Sequence, residues 1–364
     1  MANATPKKLI LVIGATGAQG LAVIDALLKP AADGSLSPYA IRALTRNPES
    51  GRAKVLAQRG VEIFSGSTDD WGAILKALEV VYGAFVNTDG FTIGEVKEVY
   101  AGMRIFELAK QVGTVKHFVW SALDYSYKKG GFNPQYRCEH YDGKARVSDW
   151  MRAQPSILSD DNMSWSILTT GPYMDMLYNF MFGPLNQRAD GTYVFAAPMG
   201  QGHVPMIALS DVGFFARHIF DNRAATSAQE LEVASDWVDW SYLVSTFTKV
   251  TGKPAVYKPL ELEEWFDLWY QDDISLPVAN EKRHTPDEPE STSWKANFMC
   301  WWAQFRDDVI KRDFEWIRKV NPNGHTLESW MKEVGYTGEV NYALLKNTQD
   351  GKSPRLNPEL TSKL

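Results

Sequence analysis

Three residues that could carry chemistry, Tyr136, His140 and Lys144, follow one another at intervals of four. The segment that contains them begins with Asn133-Pro134, which is typical of a helix start, and we expect the helix to reach about Arg152. Residues four apart share one face of a helix, so these side chains are predicted to form a stripe. Histidine can transfer a proton near neutral pH, and lysine can hold ribose hydroxyl groups. A structural histidine and a solvated lysine are the alternatives.

A glycine-rich turn lies near the start of the chain. Five apolar residues, Leu9 to Ile13, run into glycines at positions 14, 17 and 20, and a helix-like apolar segment follows. A buried strand, a glycine-rich turn and a helix form the layout of a dinucleotide site, with the pyrophosphate at the helix N-terminus. The alternative is a turn that only packs a helix against a strand. The cofactor-binding residues predicted on the turn are Gly14, Thr16, Gly17, Ala18, Gln19 and Gly20.

The residues that end the second predicted strand indicate which dinucleotide binds. An acid there would grip the ribose hydroxyl of NAD, whereas an arginine accommodates the 2′-phosphate of NADP. The strand ends in Thr45-Arg46-Asn47-Pro48, without an acid. Arg46 is therefore predicted to hold the phosphate through its planar fork of donors, with Arg42 as the fallback. NADP(H) is predicted over NAD(H), although an ordinary surface arginine is the alternative.

Polar residues follow the next predicted strands as well. Ser67 to Asp70 end the third strand, Asn87 and Thr88 the fourth, and Ser121 the fifth. Taken singly, each is typical of a cap or a turn. Together they predict the floor of a cofactor site, because ligands of open α/β sheets bind outside the carboxyl ends of the strands.

The first 170 residues alternate predicted strands with predicted helices. This alternation favours an α/β fold, in which a doubly wound parallel Rossmann sheet carries helices on both faces. Residues 1–170 are accordingly predicted to form an NAD(P)-binding domain. The predicted strands are Leu9–Ile13, Tyr39–Thr45, Val61–Ser65, Val80–Val86, Val115–Trp120 and Trp165–Thr169.

After residue 170 the regular alternation stops. Residues 171–345 are expected to form a smaller α+β C-terminal lobe that shares the cleft, and 346–364 a flexible tail. Seven aromatic and methionine residues are predicted to overhang a nicotinamide, with plain core between the lobes as the alternative: Tyr173, Met174, Met176, Tyr178, Phe180, Met181 and Phe182. Further predictions are a hairpin of Tyr193–Ala196 with His203–Pro205, an aromatic helix over Phe298–Val320, and a loop over 271–295.

Composition limits the class of protein. The 364 residues carry a net charge of −6 and no dense basic run, so direct nucleic-acid binding is not expected. Two cysteines, Cys138 and Cys300, give no disulfide framework and fit a reducing compartment. We find no signal-like segment and no apolar stretch of about 18 residues that would span a membrane. A cytoplasmic protein is expected, or a nuclear one if it is a regulator, with no metal site.

Several motifs together resemble the NmrA-like family, a branch of the atypical short-chain dehydrogenase/reductase superfamily. The motifs are Gly14 to Gly20, Thr45-Arg46-Asn47-Pro48, His140-Tyr141-Asp142-Gly143-Lys144, Gly171-Pro172-Tyr173-Met174, Pro205-Met206 and Ser210-Asp211-Val212-Gly213. The combination of the second and third is like that of a human NADP-sensing member. The resemblance implies NADP(H) on the Rossmann half, with Pro172 and Tyr173 at the cofactor, and a smaller lobe that closes a cleft over the nicotinamide.

The superfamily normally uses a Tyr-x-x-x-Lys pair, in which the tyrosine gives a proton and the lysine holds the ribose. In this chain His140 occupies the tyrosine position, and Tyr141 lies about 100° further round the helix. Tyr125, in the loop before the helix, or Tyr136 could replace the missing donor. The catalytic candidates are Lys144, His140, Ser121 and Tyr125.

Three functions fit these motifs. The first is an NADPH-dependent reductase of a small hydrophobic metabolite with a polarised C=C, C=O or C=N bond, bound in the cleft between the lobes. The second is a non-catalytic NADP redox sensor or transcriptional co-regulator that acts through a protein partner, as in some relatives. The third is a non-redox isomerase that keeps the cofactor as structure. Both a monomer and a homodimer fit the sequence.

Overall fold

A computed structural model gives the fold and describes residues 6–30, 33–281, 292–341, 345 and 354–364. Its strands are β1 Lys8–Ile13, β2 Tyr39–Thr45, β3 Glu62–Ser65, β4 Gly83–Val86, β5 His117–Ala122, β6 Ser164–Thr169, β7 Asn186–Gln187, β8 Tyr193–Ala197, β9 Val204–Met206, β10 Gln229–Glu232, β11 Asp236–Val238 and β12 Ala255–Pro259. Its helices are α1 Ala18–Leu28, α2 Gly51–Gln58, α3 Trp71–Leu78, α4 Gly90–Ile93, α5 Glu95–Val112, α6 Ser126–Lys129, α7 Glu139–Arg152, α8 Leu209–Asp221, α9 Arg223–Thr226, α10 Trp240–Thr251, α11 Leu262–Asp267, α12 Gln271–Ser275, α13 Trp294–Arg306, α14 Phe314–Val320, α15 Leu327–Val334 and α16 Pro358–Thr361. Short 3-10 helices cover Pro134–Tyr136 and Met174–Tyr178.

Seven parallel strands form the central sheet, in the order β10-β6-β5-β4-β1-β2-β3. Successive side chains of β1 enter opposite cores, with Ile10 and Val12 on one face and Leu11 and Ile13 on the other. Helices α1 and α8 cover the first face, and α3, α5 and α7 cover the second. The predicted doubly wound Rossmann fold is confirmed.

The chain returns to the central sheet after residue 170. Strand β10 pairs with β6, and α8 packs directly on α1. The two helix backbones approach so closely that a Cβ on Gly213 would lie 2.4 Å from the carbonyl oxygen of Ala22. The Rossmann half therefore includes elements from both sides of the predicted boundary at residue 170.

The second lobe is smaller and is built around aromatic side chains. Strands β12, β8 and β7 form one sheet, and β11 pairs with β9. Helices α10, α11, α13 and α15 pack with them around a separate apolar core. The fully buried tryptophans of this core are Trp240, Trp265, Trp301 and Trp302.

The predicted hairpin of β8 with β9 is wrong. Strand β8 pairs with β12 and β7, whereas β9 pairs with β11. The glycine-containing connection passes along the end of α13 instead of turning back. A Cβ on Gly202 would lie 2.2 Å from the carbonyl oxygen of Phe305, and the backbone N–H of His203 donates to that same oxygen at 3.2 Å.

The predicted aromatic helix over Phe298–Val320 is two helices, α13 and α14. The first begins earlier than expected, because the Ser293 hydroxyl accepts from the backbone N–H of Ala296 and caps it. The chain then leaves the helical path at Asp308, which adopts a φ of +48°. Between the helices, Arg312 binds the buried carboxylate of Asp124 beside the central sheet. This ion pair draws the connection toward the Rossmann half.

Residues 354–364 belong to the predicted tail and contact the second lobe. Leu356 forms a β-bridge with Trp269, and the side chains of Leu356 and Leu364 join the core of the second lobe. Residues 346–353 lie outside the described residues. In the predicted loop over 271–295, Gln271–Ser275 is helical as α12 and 282–291 lie outside the described residues. None of the helices in the described ranges is long and apolar enough to cross a membrane.

Candidate cofactor and substrate cleft

A cleft of about 750 Å³ opens at the carboxyl ends of β1, β2 and β4 and continues between the sheet and the second lobe. This volume lies in the range of about 300–1,000 Å³ that is usual for ligand sites. The structure therefore brings most of the predicted site residues together. Those that line the cleft are Gly14, Thr16, Gly17, Ala18, Gln19, Arg46, Asn87, Thr88, His140, Lys144, Pro172 and Tyr173.

The glycine-rich turn leaves its backbone open to the cleft. Gly14 has a φ of +79°, and a Cβ there would lie 2.6 Å from the carbonyl oxygen of Asn87. Gly17 caps α1 without any side-chain bond to the first helical N–H groups. A pyrophosphate fits such a helix start, because its N–H groups point at the ligand. Gly20 is not among the described residues that line the cleft: a Cβ on it would lie 2.2 Å from Gly14 O, so it allows α1 to pack against the turn.

Two arginines line the sheet end of the cleft, where one was predicted. Arg46 follows β2 as expected. Arg52, in the first turn of α2, also lines the cleft, and its Nη1 donates to the carbonyl oxygen of Thr16 at 2.9 Å. The fallback residue Arg42 is placed elsewhere, since it donates to Glu62 Oε1 at 2.9 Å and holds the carbonyl oxygens of Ala77 and Glu79. Arg42 is therefore a structural residue on β2, beside the edge strand β3.

The ammonium group of Lys144 is held against the end of β4. Its Nζ lies 2.8 Å from the carbonyl oxygen of Thr88, 3.1 Å from Asn87 Oδ1 and 3.1 Å from Glu98 Oε1. Glu98 is fully buried on α5 and also accepts from the Thr88 hydroxyl at 2.7 Å. A Cβ on Gly90 would lie 2.4 Å from Glu98 Oε2, so that glycine gives the carboxylate its room. Lys144 is thus fixed by a buried ion pair rather than solvated.

His140 lies one helical turn before Lys144 on α7, and its ring is clamped between aromatic rings. The ring centroids of Phe91 and Phe298 lie 4.6 and 5.5 Å from that of His140. Burial lowers the pKa of His140 to about 3, and the charge on Lys144 adds to this effect. The imidazole is therefore neutral at physiological pH.

The predicted stripe of Tyr136, His140 and Lys144 is not one helix face. Pro134–Tyr136 forms a separate 3-10 helix, and extended backbone at Arg137 and Cys138 precedes α7. The Tyr136 hydroxyl donates to Asp307 at 3.0 Å, on the exposed surface. Tyr136 is not among the described residues that line the cleft.

Two predicted catalytic residues also lie outside the cleft. Tyr125 lines a second cavity, with Lys128, Asp149 and Arg152. Ser121 is 2% exposed, and its hydroxyl donates to Gln19 Oε1 at 2.7 Å, where it ties β5 to α1. The geometry therefore leaves Lys144 and His140 as the predicted catalytic residues that face the cleft.

Aromatic side chains line the part of the cleft that lies toward the second lobe. The rings of Trp294 and Phe298 lie 4.5 Å apart, and Phe91 stacks on Phe298 at an interplanar angle of 5°. The members of this aromatic wall are Phe91, Phe180, Trp269, Trp294, Phe298 and Trp301. Of the residues predicted to overhang a nicotinamide, Tyr173, Met176, Phe180 and Met181 line the cleft, whereas Met174, Tyr178 and Phe182 lie in the core of the second lobe.

The cleft and the fold agree with a comparison of the sequence with known families. The model of the NmrA-like family matches residues 6–285. The chain belongs to the NmrA-like family. Two curated members are similar over most of their length. The NmrA-like family domain-containing oxidoreductase hkm9 of Aspergillus hancockii is 30% identical over 72% of this chain and 78% of its own. The oxidoreductase himF of Aspergillus japonicus is 27% identical over 70% and 78%.

Solved structures share the fold of this NmrA-like chain. Nmra, a negative transcriptional regulator in complex with NAD, superposes with a TM-score of 0.68 at 18% identity, over 91% of this chain and 96% of its own. The NADPH-dependent quinone oxidoreductase QOR2 of Escherichia coli, complexed with NADPH, gives a TM-score of 0.62 at 19% identity, over 90% and 100%. The resemblance read from the sequence motifs is confirmed.

Sequence reasoning missed several residues of this NmrA-like cleft. Glu98 and Asn297 reach Lys144 and His140 from other helices, and no local pattern marks either one. Arg52 had a weak signal, since it follows the helix cap Ser50 only six positions after Arg46. The late tryptophans are conspicuous in the sequence, but their spacing does not separate those of the aromatic wall from those of the core.

Proposed function

We propose that the protein is an NADPH-dependent reductase of a small, flat, hydrophobic metabolite that carries a polarised C=C, C=O or C=N bond. The observation that carries the proposal is the continuity of the cleft. The open glycine turn lies at one end, the aromatic wall at the other, and Lys144 and His140 lie on the helix α7 that lines both. Reacting atoms must come within about 3–3.5 Å, so a dinucleotide and its acceptor need a shared cavity of this kind.

The residues at the sheet end fit NADP(H). Gly14 and Gly17 line the cleft at the start of α1, where a pyrophosphate would meet the helix N–H groups, and Arg46 with Arg52 would hold the 2′-phosphate. Lys144 would hold ribose hydroxyl groups, which are neutral acceptors for its ammonium group. The cofactor supplies a hydride from nicotinamide C4. The Nmra regulator has been solved with NAD and with NADP, so the fold alone does not choose, and the preference for NADP(H) rests on the two arginines.

The aromatic wall supports a flat and largely apolar substrate. Indole and phenyl faces bury large areas and pack well against planar rings. The curated relatives hkm9 and himF are named oxidoreductases, which supports redox chemistry in the same cleft. Lys144 and His140 lie at the junction between the cofactor end and this wall, where the reacting bond would sit.

Dinucleotide binding tests the cofactor assignment. NADPH should bind more tightly than NADH by isothermal titration, and Arg46→Ala should weaken NADPH about 10–100-fold, since a charge-assisted hydrogen bond contributes about 1.5–3 kcal/mol. Arg59→Ala is the matched control, because Arg59 lies at the C-terminal end of α2 and pairs with Asp25 on the surface. Equal affinity for NADPH and NADH, unchanged by Arg46→Ala, would refute the assignment.

Turnover tests the reductase itself. NADPH oxidation is followed with a panel of enones, ketones and imines on aromatic scaffolds, and Lys144→Ala should lower kcat/KM for every substrate that reacts. Tight NADPH binding without turnover of any panel member would overturn the proposal and favour the redox-sensor hypothesis.

A further inference from the structure

We propose that Asn297 is a positioning residue, which holds His140 as the neutral tautomer with its hydrogen on Nε2, so that Nε2–H donates a hydrogen bond to the heteroatom of the substrate's C=O or C=N bond. This inference rests on the proposed function. The second lobe would thus influence the reaction through His140, because Asn297 lies on α13 and His140 on α7.

The shortest contact between Asn297 and His140 indicates the direction of the hydrogen bond that joins them. Asn297 is fully buried, and Nδ1 of His140 lies 3.0 Å from its amide Nδ2, 3.3 Å from its Oδ1 and 3.4 Å from Sγ of Cys138. The thiol of Cys138 lies 3.9 Å from Asn297 Oδ1 and donates to it. Because an amide nitrogen donates and does not accept, the shortest of these contacts makes Nδ1 of His140 the acceptor. An imidazole nitrogen that accepts a hydrogen bond carries no hydrogen, so the ring hydrogen of a neutral His140 is on Nε2.

The second nitrogen of the ring is available to a ligand. Nε2 of His140 makes no hydrogen bond with any residue that the structure describes. This nitrogen is also not a fully buried polar atom with an unsatisfied hydrogen bond. The small exposed fraction of His140, 7%, belongs to a residue that lines the cleft. Nε2–H therefore faces the space in which a substrate would lie.

The surroundings of His140 keep the ring neutral. Burial lowers the pKa of His140 to about 3, and the positive charge of Lys144, one turn along α7, adds to this effect. The other titratable neighbours are Cys138 and Tyr141, and burial raises the pKa of both well above the ordinary values, so neither is an anion at neutral pH. The rings of Phe91 on α4 and Phe298 on α13 pack against the imidazole, and Asn297 is its polar neighbour from α13.

A neutral imidazole lowers the barrier of the reaction as a hydrogen-bond donor and does not act as an acid. When the substrate is reduced, hydride bonds to carbon and the π electron pair of C=O or C=N moves to the heteroatom. The heteroatom gains negative charge as it does so, and a donor aimed at that position lowers the barrier. The heteroatom takes its proton from water, and His140 keeps its own hydrogen throughout.

Nitrogen-15 NMR tests the tautomer without any turnover. The chain has six histidines, so the His140 signals in protein labelled at histidine are assigned by their loss in His140→Gln. We expect the Nε2–H tautomer in the wild type at pH 7. Asn297→Asp keeps the size of the side chain but presents only acceptors, and should move the hydrogen to Nδ1. Asn297→Ser offers a hydroxyl donor and should retain Nε2–H. A wild-type ring that is charged or carries its hydrogen on Nδ1, or no change in Asn297→Asp, would overturn the inference.

Kinetics with the best panel substrate test the hydrogen bond to that substrate. Asn297→Asp should lower kcat about 100-fold at neutral pH, with the KM for NADPH unchanged, and Asn297→Ser should retain most of the activity. In the Asp variant kcat should recover as the pH falls, because the second proton on the ring restores Nε2–H. Equal losses in the two variants with flat pH profiles would contradict the assignment. Absence of turnover throughout the panel would overturn the proposed function, whereas the tautomer measured by NMR tests Asn297 independently.

Discussion

The ion pair of Arg312 and Asp124 should contribute strongly to the stability of the two-lobed structure. Their side chains are 0% and 1% exposed, and two parallel hydrogen bonds of 2.9 and 2.7 Å join them. Arg312 also donates to the carbonyl oxygens of Thr170 and Val233, so it links the Rossmann sheet to the connection between α13 and α14. Burial would raise the pKa of Asp124, but the charges of Arg312 and Lys129 hold it below its ordinary value.

Arg312→Met removes the guanidinium and leaves a buried carboxylate with Lys129 as its remaining cation. Breaking a buried pair on one side costs about 3–5 kcal/mol. For a chain of this length, an unfolding entropy of about 2.1 cal/mol/K per residue converts this loss into a fall in Tm of about 4–7 °C. Differential scanning calorimetry at pH 7 measures it. The matched variant is Asp124→Asn with Arg312→Met, which removes the stranded charge and should recover part of the loss.

The pH dependence of the stability gives the sign of the contribution from Asp124. In the wild type the folded pKa of Asp124 is depressed, so its contribution to stability is present above the unfolded pKa and is lost as the pH falls. Without Arg312 the folded pKa should lie above the unfolded one, so the variant should gain stability relative to the wild type as the pH is lowered from 7 toward 4. A fall in Tm below about 1 °C, or a deficit that neither shrinks at low pH nor recovers in the double variant, would refute the reasoning.

Three further predictions follow from the cleft and from α7. Glu98→Gln removes the buried charge beside Lys144 and should lower the free energy of unfolding by about 1.5–3 kcal/mol. Urea unfolding of this variant, of Lys144→Met and of the double variant should show non-additive losses of stability. Additive losses would contradict the pairing. Gly14→Ala places a Cβ 2.6 Å from Asn87 O at a φ of +79°, so the substitution should lower the free energy of unfolding by about 1–2 kcal/mol or more. It should also weaken NADPH binding in titration calorimetry. Wild-type affinity would count against the proposed pyrophosphate site. Burial raises the pKa of Asp142 to about 7, so the contribution of this carboxyl group to stability is full below pH 4 and is lost as the pH rises to 7. The Tm of Asp142→Asn should therefore fall less over that pH range than the Tm of the wild type. Parallel curves of Tm against pH would show that Asp142 does not cause the pH dependence.

The sequence predicted those parts of the fold and cleft that local patterns determine. A buried strand, three spaced glycines and an apolar helix placed the turn correctly, because all the residues involved are neighbours in the chain. The interval of four between His140 and Lys144 also placed both side chains on the cleft, since one helical turn separates them. Arg46 was placed by its position directly after β2.

The predictions that were wrong depend on contacts between distant parts of the chain. The helix before His140 was drawn too long, because nothing local shows that Tyr136 bonds to Asp307, 171 positions away. The partner of β8 is β12, more than fifty residues further on, rather than its neighbour β9. Asn297 contacts His140 across 157 positions. A single sequence contains no period or spacing from which such pairings can be derived.

The aromatic wall gives the protein an optical property. Trp269, Trp294 and Trp301 face the cleft, and ring centroids 5.1 and 4.9 Å apart connect two of them to Trp265 and Trp302 behind. Indole emission overlaps the absorption of reduced nicotinamide but not that of the oxidised form. A dihydronicotinamide in the cleft would therefore quench the fluorescence of these tryptophans by energy transfer, and its oxidation would restore that fluorescence. The fluorescence of the aromatic wall would thus report the redox state of the cofactor without any added dye.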